Sequence, residues 1–275
     1  MKYEFEIKEI TKGYATEFIQ SLHYSKTMPR LTKHFLGCYL ENELVGVLTL
    51  GWGTQPKATI AKLFDGLDTK DYYEIGKMCM KEEMPKNSES QMISAVVKWM
   101  KVNTPERQFL YTWADGIMGK PGYVYQAANF LYGGFIWTQI YISEKNEKIH
   151  PRSAKRLCEE NVQFKLKREP DFFANKKGEK IYWLTQDFLD YKNILKVHGK
   201  QFRYILPLNK KSRKLLKKSK VNWNLNYPKD NDLIWKKSTK EGKKQLKELP
   251  YIDSNMTEYN TKNVNSHLGS LEAFL

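Results

Sequence analysis

The sequence predicts a mixed α/β sheet with helices on both faces, followed by a basic C-terminal extension. Strand-like and helix-like apolar patterns alternate through residues 1–150, which is typical of α/β folds. The charge is concentrated beyond them: residues 1–150 carry 18 Lys and Arg against 17 Asp and Glu, whereas residues 151–275 carry 28 against 14. Such a concentration of positive charge favours a nucleic-acid partner over a membrane.

The first elements follow from local patterns. Residues 3–10 alternate polar and apolar side chains, which predicts a strand, and residues 12–23 have the spacing of an amphipathic helix. Two apolar runs within residues 35–51 flank the polar turn Glu41-Asn42-Glu43, so this segment predicts a β-hairpin. Residues 52–71 predict an irregular connection.

The same alternation continues beyond the connection. Residues 74–83 predict a strand, and the apolar positions of residues 91–101 fall on one helical face. A strand at 107–115, a short helix at 124–133 and a strand at 135–143 complete the predicted core.

The second half of the chain divides less clearly. Residues 178–206 suggest two or three strands, around the runs KIYWLT and FRYILPL, and residues 209–220 predict a basic helix. We therefore expect a core at 1–150, a basic nucleic-acid-binding extension at 151–252 and a poorly ordered tail at 253–275.

Cysteine content and hydropathy narrow the class of protein. Cys38, Cys79 and Cys158 are too few and too widely spaced for a disulfide framework or a closed zinc site, which fits a reducing cytosol. No apolar stretch reaches the length of a membrane span, so we expect no membrane partner.

The segment 112–134 carries the strongest chemical signal. Asp115 follows an apolar strand and precedes a glycine-rich turn, which places a carboxylate where α/β folds bind ligands. Tyr123 and Tyr125 follow, and a tyrosine hydroxyl there could donate a proton or orient a base. The alternative is that Asp115 caps the turn and the tyrosines pack.

Two further groups of polar residues are weaker candidates. Asn87, Ser88 and Ser90, in the loop PKNSES before a predicted helix, could bind phosphate, although the same pattern is an ordinary helix start. His23 and His34 could be acid/base groups or metal ligands, but no cluster in one element has ligand spacing, and a structural role is the alternative.

A run of ten Lys and Arg without an acidic residue spans positions 196–220. Five of them, at 210, 213, 214, 217 and 218, have helical spacing and predict one single-signed face. Because like charges on one face repel, phosphate neutralisation explains this pattern better than solvation does. The predicted nucleic-acid-binding residues are Lys200, Arg203, Lys210, Lys211, Arg213, Lys214, Lys217 and Lys218.

Taken in their order along the chain, these motifs resemble the Mom family of phage DNA modification proteins. The resemblance covers about residues 20–230, and the string AD…GKxGxxYQAxxFxYxG, which begins at Ala114, is its most specific part. The other matching segments are His23-Tyr24, FLGCYLENELVGVLTLG, EIGKMCM, PKNSES, HPRS (150–153), KQFRYILPLNKKSRKLL and Tyr227-Pro228-Lys229.

The resemblance implies a GNAT-like (N-acetyltransferase-like) core and an enzyme that modifies the exocyclic amine of adenine in double-stranded phage DNA. The group added is a methylcarbamoyl group or its acetamido isomer, which shields the DNA from restriction in the cytoplasm of the bacterial host. Acetyl-CoA or a related acyl donor is implied, and iron is left open as a requirement.

The resemblance also implies roles for individual residues. Asp115 and Tyr125 would form the catalytic pair, and His23 and Tyr24 would contribute to the pocket. Lys77 would lie beside the cofactor, where family members carry arginine; lysine keeps the charge but loses the bidentate geometry.

The chemistry of the substrate is compatible with this assignment. The adenine amine is a poor nucleophile, so it needs an acceptor such as Asp115 and a polar group such as Tyr125 at the developing charge. The base must also leave the duplex stack. Trp113, Phe130 and Tyr132 are candidate stacking partners, although core packing is the commoner role of such residues.

Two other functions remain open from the sequence. One is a non-catalytic nucleic-acid-binding protein on an acyltransferase-like scaffold, and the other is an acyltransferase that acts on RNA or on a protein amine. The oligomeric state is not predicted.

Overall fold

The computed structural model describes residues 3–149, 155–169 and 184–253, which belong to two compact units. The first unit comprises residues 1–136 and 201–232, and the second comprises residues 137–200 and 233–275. Each unit contains residues from both sides of residue 150. The division into domains that the sequence suggests at residue 150 stays a prediction.

The helices and strands follow one another along both units. In chain order they are β1 (Glu6–Glu9), α1 (Lys12–Leu22), β2 (Leu31–Leu40), β3 (Glu43–Trp52), α2 (Pro56–Ala61), β4 (Tyr72–Met80), α3 (Ser88–Asn103), β5 (Phe109–Ala114), α4 (Tyr123–Ala127), β6 (Leu131–Ile142), β7 (Lys148–Ile149), α5 (Lys155–Arg168), α6 (Gln186–Tyr191), β8 (Leu195–Pro207), α7 (Lys210–Leu216), β9 (Trp235–Thr239) and β10 (Gly242–Leu246).

The first unit contains a sheet in the order β1-β2-β3-β4-β5-β8. Neighbouring strands are antiparallel except β4 and β5, which are parallel. The predicted hairpin is confirmed as β2 and β3, and Glu41 and Asn42 at its turn both have positive φ, as tight hairpin turns require.

Helices lie on both faces of this sheet, as predicted. Ile19 of α1 belongs to the same buried cluster as Val47 of β3. On the neighbouring residue Gly46, an added Cβ would lie 2.9 Å from the sulfur of Met92 in α3. Because successive strand residues point to opposite faces, α1 and α3 cover opposite sides of β3. The prediction of a mixed α/β sheet with flanking helices is confirmed.

Two predicted elements differ from the structure. The helix predicted at 124–133 ends at Ala127, because Asn129 takes a left-handed φ of 60° and the chain then enters β6 at Leu131. The connection predicted as irregular contains α2, whose first residue is Pro56, where a missing N–H costs nothing.

The aromatic core of the first unit includes side chains of β4, β5 and β8. Phe64, Tyr72, Phe109, Tyr111 and Ile205 form one buried cluster, and the rings of Phe64 and Phe109 stack with centroids 4.7 Å apart. Burial of a side chain of this size stabilises the fold by about 1.5–3 kcal/mol. The strands that bear the candidate site are therefore firmly held.

The second unit has its own core. Strand β7 pairs with β6, and β9 pairs with both β8 and β10. Phe164, Leu184 and Phe188 are among the residues of its buried cluster. The predicted strand FRYILPL is confirmed within β8, and the segments KIYWLT (through Trp183), HPRS and the tail from residue 254 lie outside the described residues.

Among the described residues, no helix has the length and apolar character needed to cross a membrane.

Candidate active site

The parallel strands β4 and β5 separate from each other partway along their length. They pair only at Tyr72–Phe109, Tyr73–Leu110 and Glu74–Tyr111. On its other edge, β4 pairs with β3 through a bulge, because Leu50 opposes Ile75 whereas Thr49 opposes Lys77. A bulge bends its strand, so the part of β4 beyond Glu74 turns away from β5.

A pocket of about 670 Å³ lies beside this fork, a size within the usual range for ligand sites. Its walls come from the end of α1 and the loop after it, from β4, from the end of β5 and from the glycine-rich turn before α4. The residues that line it include His23, Tyr24, Glu74, Lys77, Glu89, Trp113, Asp115, Gly119, Lys120, Gly122 and Tyr125.

Asp115 and Tyr24 meet in this pocket. The Tyr24 hydroxyl donates a hydrogen bond of 3.1 Å to Oδ2 of Asp115. Although 37% of the Tyr24 surface is exposed, burial of the hydroxyl and the neighbouring Asp115 carboxylate raise the pKa of Tyr24 above its ordinary value. Tyr24 therefore stays protonated and orients the carboxylate.

Tyr125 lines the same pocket as Asp115 and Glu74. Burial, followed by the charges of Asp115 and Glu74, raises the pKa of Tyr125, and the Thr112 hydroxyl opposes this shift. Its ring packs against Phe130 and Tyr204, with centroids 5.6 and 5.7 Å away. The predicted pair Asp115 and Tyr125 is thus brought into one pocket, with its phenol protonated.

Glu74 is a site residue that the sequence analysis missed. It sits at the last paired position of the fork, and the backbone N–H of Gly53 donates to its Oε2 at 3.2 Å. Burial raises the pKa of this carboxyl to about 7. In the sequence, Glu74 is a single carboxylate within a strand that is largely apolar. The same pattern is typical of an ordinary residue that faces solvent, so it does not identify a site residue.

The residues around the Tyr24 ring hold it in place. The His23 ring stacks on it with centroids 4.4 Å apart, and Nδ1 of His23 accepts a hydrogen bond from the Ser25 backbone N–H. Nζ of Lys120, a second residue that was missed, lies 4.5 Å from the Tyr24 ring centre. This cation–π contact brings a positive charge to the pocket rim.

Lys77 lines the pocket, but its ammonium group donates to the Ser25 carbonyl at 2.8 Å. The bond ties β4 to the loop that carries Tyr24. Lys77 therefore positions this loop as well as supplying a charge.

The predicted phosphate-binding residues lie at the start of α3 and do not line the pocket. Oγ of Ser88 donates to the Pro85 carbonyl and Oγ of Ser90 donates to the Asn87 carbonyl. Asn87 takes a left-handed φ of 73° before the helix. From this turn only Glu89 reaches the pocket wall.

The helix that carries Tyr125 is anchored by Gln126. Its Nε2 donates to the Tyr204 hydroxyl and to the Pro228 carbonyl, at 3.1 and 3.0 Å, and its Oε1 accepts from Nζ of Lys229 at 2.9 Å. The Tyr227 hydroxyl donates to the Phe130 carbonyl at 2.7 Å. The YQA and Tyr227-Pro228-Lys229 motifs are thus one network that fixes α4.

The other residues singled out in the sequence have mainly structural contacts. His34 bonds to Glu9 and to the Tyr73 hydroxyl. Of the candidate stacking residues, Trp113 lines the pocket, Phe130 is fully buried, and Tyr132 forms a backbone bridge with Asn224.

The predicted DNA-binding residues fall into two structural settings. Arg203 is partly buried, donates to the Gly133 carbonyl at 3.3 Å and lies over the Trp113 ring. The residues on and just after α7 are exposed, but the helix ends at Leu216, so Lys217 and Lys218 lie in the following turn. Lys200 is half-buried near the middle of β8.

Among residues 3–149, 155–169 and 184–253, no group of three or more His, Cys, Asp or Glu side chains could hold a metal ion. The structure therefore gives no support to an iron site.

Comparisons with known proteins give one family match. The model of the Mom protein family matches residues 4–229 of this chain. The chain is also similar to methylcarbamoylase mom of Escherichia phage Mu, with 28% identity over 215 residues that cover 78% of this chain and 79% of that protein.

Among solved structures, aminoglycoside acetyltransferase AAC(6')-Ib in complex with coenzyme A aligns with 48% of this chain and 87% of its own, at 10% identity and a TM-score of 0.37. A Bacillus subtilis acetyltransferase in complex with CoA aligns with 76% of this chain and 100% of its own, at 14% identity and a TM-score of 0.34. Likenesses at this level are too loose to transfer a ligand or substrate to this chain.

Proposed function

This chain belongs to the Mom protein family, and we propose that it is an acyltransferase-like enzyme with a GNAT-like core that modifies adenine in phage DNA. It adds a methylcarbamoyl group, or the isomeric acetamido group, to the exocyclic amine. The phage Mu relative is named a methylcarbamoylase, which supports this group over a simple acetyl group. The modification protects double-stranded phage DNA from restriction in the host cytoplasm.

The observation that carries the proposal is the hydrogen bond from Tyr24 to Asp115 beside Tyr125, at the fork between β4 and β5. An exocyclic adenine amine has its lone pair delocalised into the ring, so it needs a positioned acceptor. Asp115 supplies this acceptor, and Tyr24 fixes which carboxylate oxygen remains available to the amine.

Each residue then has a defined part in the transfer. For the methylcarbamoyl product, a bond forms between the adenine nitrogen and the carbonyl carbon of a donor that already carries the methylamino group, while the bond from that carbon to its carrier breaks and the carrier leaves with the electron pair; for the acetamido isomer, the bond forms to the methylene carbon instead. Asp115 accepts the proton that leaves the nitrogen. Tyr125, held protonated by its surroundings, donates a hydrogen bond to the charge that develops on the acyl oxygen or the leaving group.

An acyl donor of the coenzyme type fits part of this site. The exposed edge of β4 beyond Glu74 and the pocket volume leave room for an acyl arm, and Lys77 and the first turn of α3 offer a charge and a helix N-terminus to phosphate. Such a donor would have to supply the whole methylcarbamoyl or acetamido group, with its nitrogen already in place. The negative charge of Glu89 opposes phosphate binding at this helix N-terminus. The hydroxyls of Ser88 and Ser90 are already bonded to their own turn, so this phosphate contact is weaker than the one predicted from the sequence.

The exposed cations on and after α7 bind the DNA backbone in this proposal. Lys210, Lys211, Arg213 and Lys214 lie on a helix whose first turn has no acidic residue. Contacts of this kind hold the duplex without reading its sequence.

The proposal is tested by the Asp115→Asn variant. Nucleosides from the DNA of cells that express the wild-type chain should include a modified adenosine, and the variant should leave adenosine unmodified while it binds DNA with unchanged affinity. Loss of DNA binding in the variant would show that Asp115 has a structural role instead.

A further inference from the structure

One face of the sheet in the second unit brings lysines and a tryptophan together. Lys236 and Ser238 of β9 point to the same face, because alternate strand residues do. Lys243 of β10 lies opposite Ser238, and His198 of β8 lies opposite Lys236. A hydrogen bond of 2.8 Å between Nε2 of His198 and Oγ of Ser238 confirms that these side chains share one side.

Two more residues extend this face across β8 and β6. Lys196 precedes His198 by two positions and lies 5.8 Å from the Tyr141 ring centre. Nζ of Lys236 lies 4.9 Å from the ring centre of Trp137, which is 46% exposed. We call Trp137, Lys196, Lys236 and Lys243 the lysine–tryptophan face.

The positive charges of this face repel one another. Burial and the charges of Lys243 and Lys196 lower the pKa of His198 to about 4, and burial and Lys243 lower the pKa of Lys196. Within the described part of the chain, none of the three lysines forms an ion pair with a carboxylate. Elsewhere in the same hairpin, Lys244 pairs with Glu241 and Lys240 lies 3.9 Å from Asp190.

This contrast indicates a ligand with negative charge. Like charges held together on a sheet face are unfavourable unless a partner neutralises them. An exposed indole beside lysines adds a surface on which a base or sugar can stack. Lys236 and Lys243 lie beyond residue 229, where the family match ends.

We propose that the lysine–tryptophan face is a second DNA-binding surface, on which Lys196, Lys236 and Lys243 contact backbone phosphates and Trp137 packs against a nucleotide. The proposal rests on the proposed function for the identity of the nucleic acid. It assigns DNA contact to Trp137, Lys196, Lys236 and Lys243 of the second unit, in addition to the cations of α7.

Two variants of equal charge test this surface. In Lys236→Gln/Lys243→Gln, two lysines of the face are neutralised, and in Lys240→Gln/Lys244→Gln, two lysines that already face carboxylates are neutralised. The full-length proteins are titrated with a fluorescent DNA duplex at several salt concentrations. The first variant should bind more weakly, and its plot of log affinity against log salt should be shallower by roughly 2, since each phosphate contact contributes about 0.9. The second variant should keep a slope close to that of the wild type.

Two further variants separate charge from folding and stacking. Lys236→Arg/Lys243→Arg should retain the wild-type salt slope. Trp137→Ala should weaken binding without changing the slope, because an indole carries no charge. Equal slopes for the two glutamine variants would overturn the proposal.

The modified adenosine measured in the same strains keeps the two proposals distinguishable. Equal slopes together with a modified adenosine would refute only the second surface. Absence of the modification in cells with soluble wild-type protein would refute the proposed function.

Discussion

Oδ2 of Asp115 accepts a hydrogen bond of 3.1 Å from the hydroxyl of Tyr24, although 91 residues separate the two in sequence. The bond joins the loop after α1 to the end of β5. It leaves the second carboxylate oxygen of Asp115 for another donor. In the proposed function, that donor is the adenine amine.

The Tyr24→Phe substitution removes this hydrogen bond and keeps the ring. A hydrogen bond to a charged group is worth about 1.5–3 kcal/mol, so modification should slow by roughly 10-fold to 100-fold. The measurement is the fraction of adenine modified at a fixed time after induction. Tyr14→Phe, at an exposed tyrosine of α1, is the matched control and should leave that fraction unchanged. An unimpaired Tyr24→Phe variant would show that the bond does not contribute.

The partly buried Glu74 makes stability depend on pH. Its folded pKa of about 7 lies above its ordinary value of 4.5, so the folded state holds the proton more tightly than the unfolded state does. The stability associated with the protonated form is therefore complete below about pH 4.5 and is lost as the pH rises to about 7. By linkage, the loss is at most about 3 kcal/mol.

The Glu74→Gln substitution should remove most of this dependence. Urea unfolding at pH 5 and at pH 8 would show a smaller difference between the two free energies of unfolding than the wild type shows. Glu106→Gln, at an exposed carboxylate, should behave like the wild type. An equally large pH effect in Glu74→Gln would place its origin at another group.

Gly122 and Gly119 both have left-handed φ values but differ in the space around them. A Cβ on Gly122 would lie 2.7 Å from the Tyr204 ring and 2.8 Å from Cβ of Ala114, whereas a Cβ on Gly119 meets nothing within 4 Å. Gly119→Ala should cost about 1 kcal/mol from backbone strain alone. Gly122→Ala should cost roughly 2–5 kcal/mol, because overpacking adds to the strain. Equal melting temperatures for the two variants would contradict this difference.

Neutralising the cations on and after α7 should weaken DNA binding. The variant replaces Arg213, Lys214, Lys217 and Lys218 with glutamine. Affinity should fall on duplexes of any sequence, and the salt slope should decrease by about 0.9 for each phosphate that the variant no longer neutralises. A control with the same change in charge replaces the exposed Lys57, Lys62, Lys98 and Lys101. An equal decrease of the slope in both variants would show that the cations on and after α7 contribute no more to DNA binding than other exposed lysines do.

Much of the fold could be predicted from local patterns, because each element of the first unit has its own period. The hairpin of β2 and β3 is the clearest case, since two apolar runs flank a turn whose residues tolerate positive φ. The predicted extent of α4 was wrong, because contacts with residues far away in the sequence decide where this helix ends. The apolar side chains of residues 130–133 suit a strand as well as a helix, and pairing decides between them.

The candidate site was only partly predictable. Asp115 and Tyr125 could be found because a carboxylate follows a strand and a distinctive string surrounds it. Glu74 could not, because its importance comes from the separation of β4 and β5, which depends on contacts far apart in the sequence. The serines of PKNSES suited phosphate by composition, but their hydroxyls bond to their own turn.

The most direct test of the central claim is the mass of adenosine in DNA from cells that express this chain. The proposed function predicts a fraction of adenosine that is heavier by one methylcarbamoyl group or its acetamido isomer, and that disappears in the Asp115→Asn strain. Adenosine of unchanged mass, in cells that contain soluble wild-type protein able to bind DNA, would contradict the proposal and favour a protein that binds nucleic acid without modifying it.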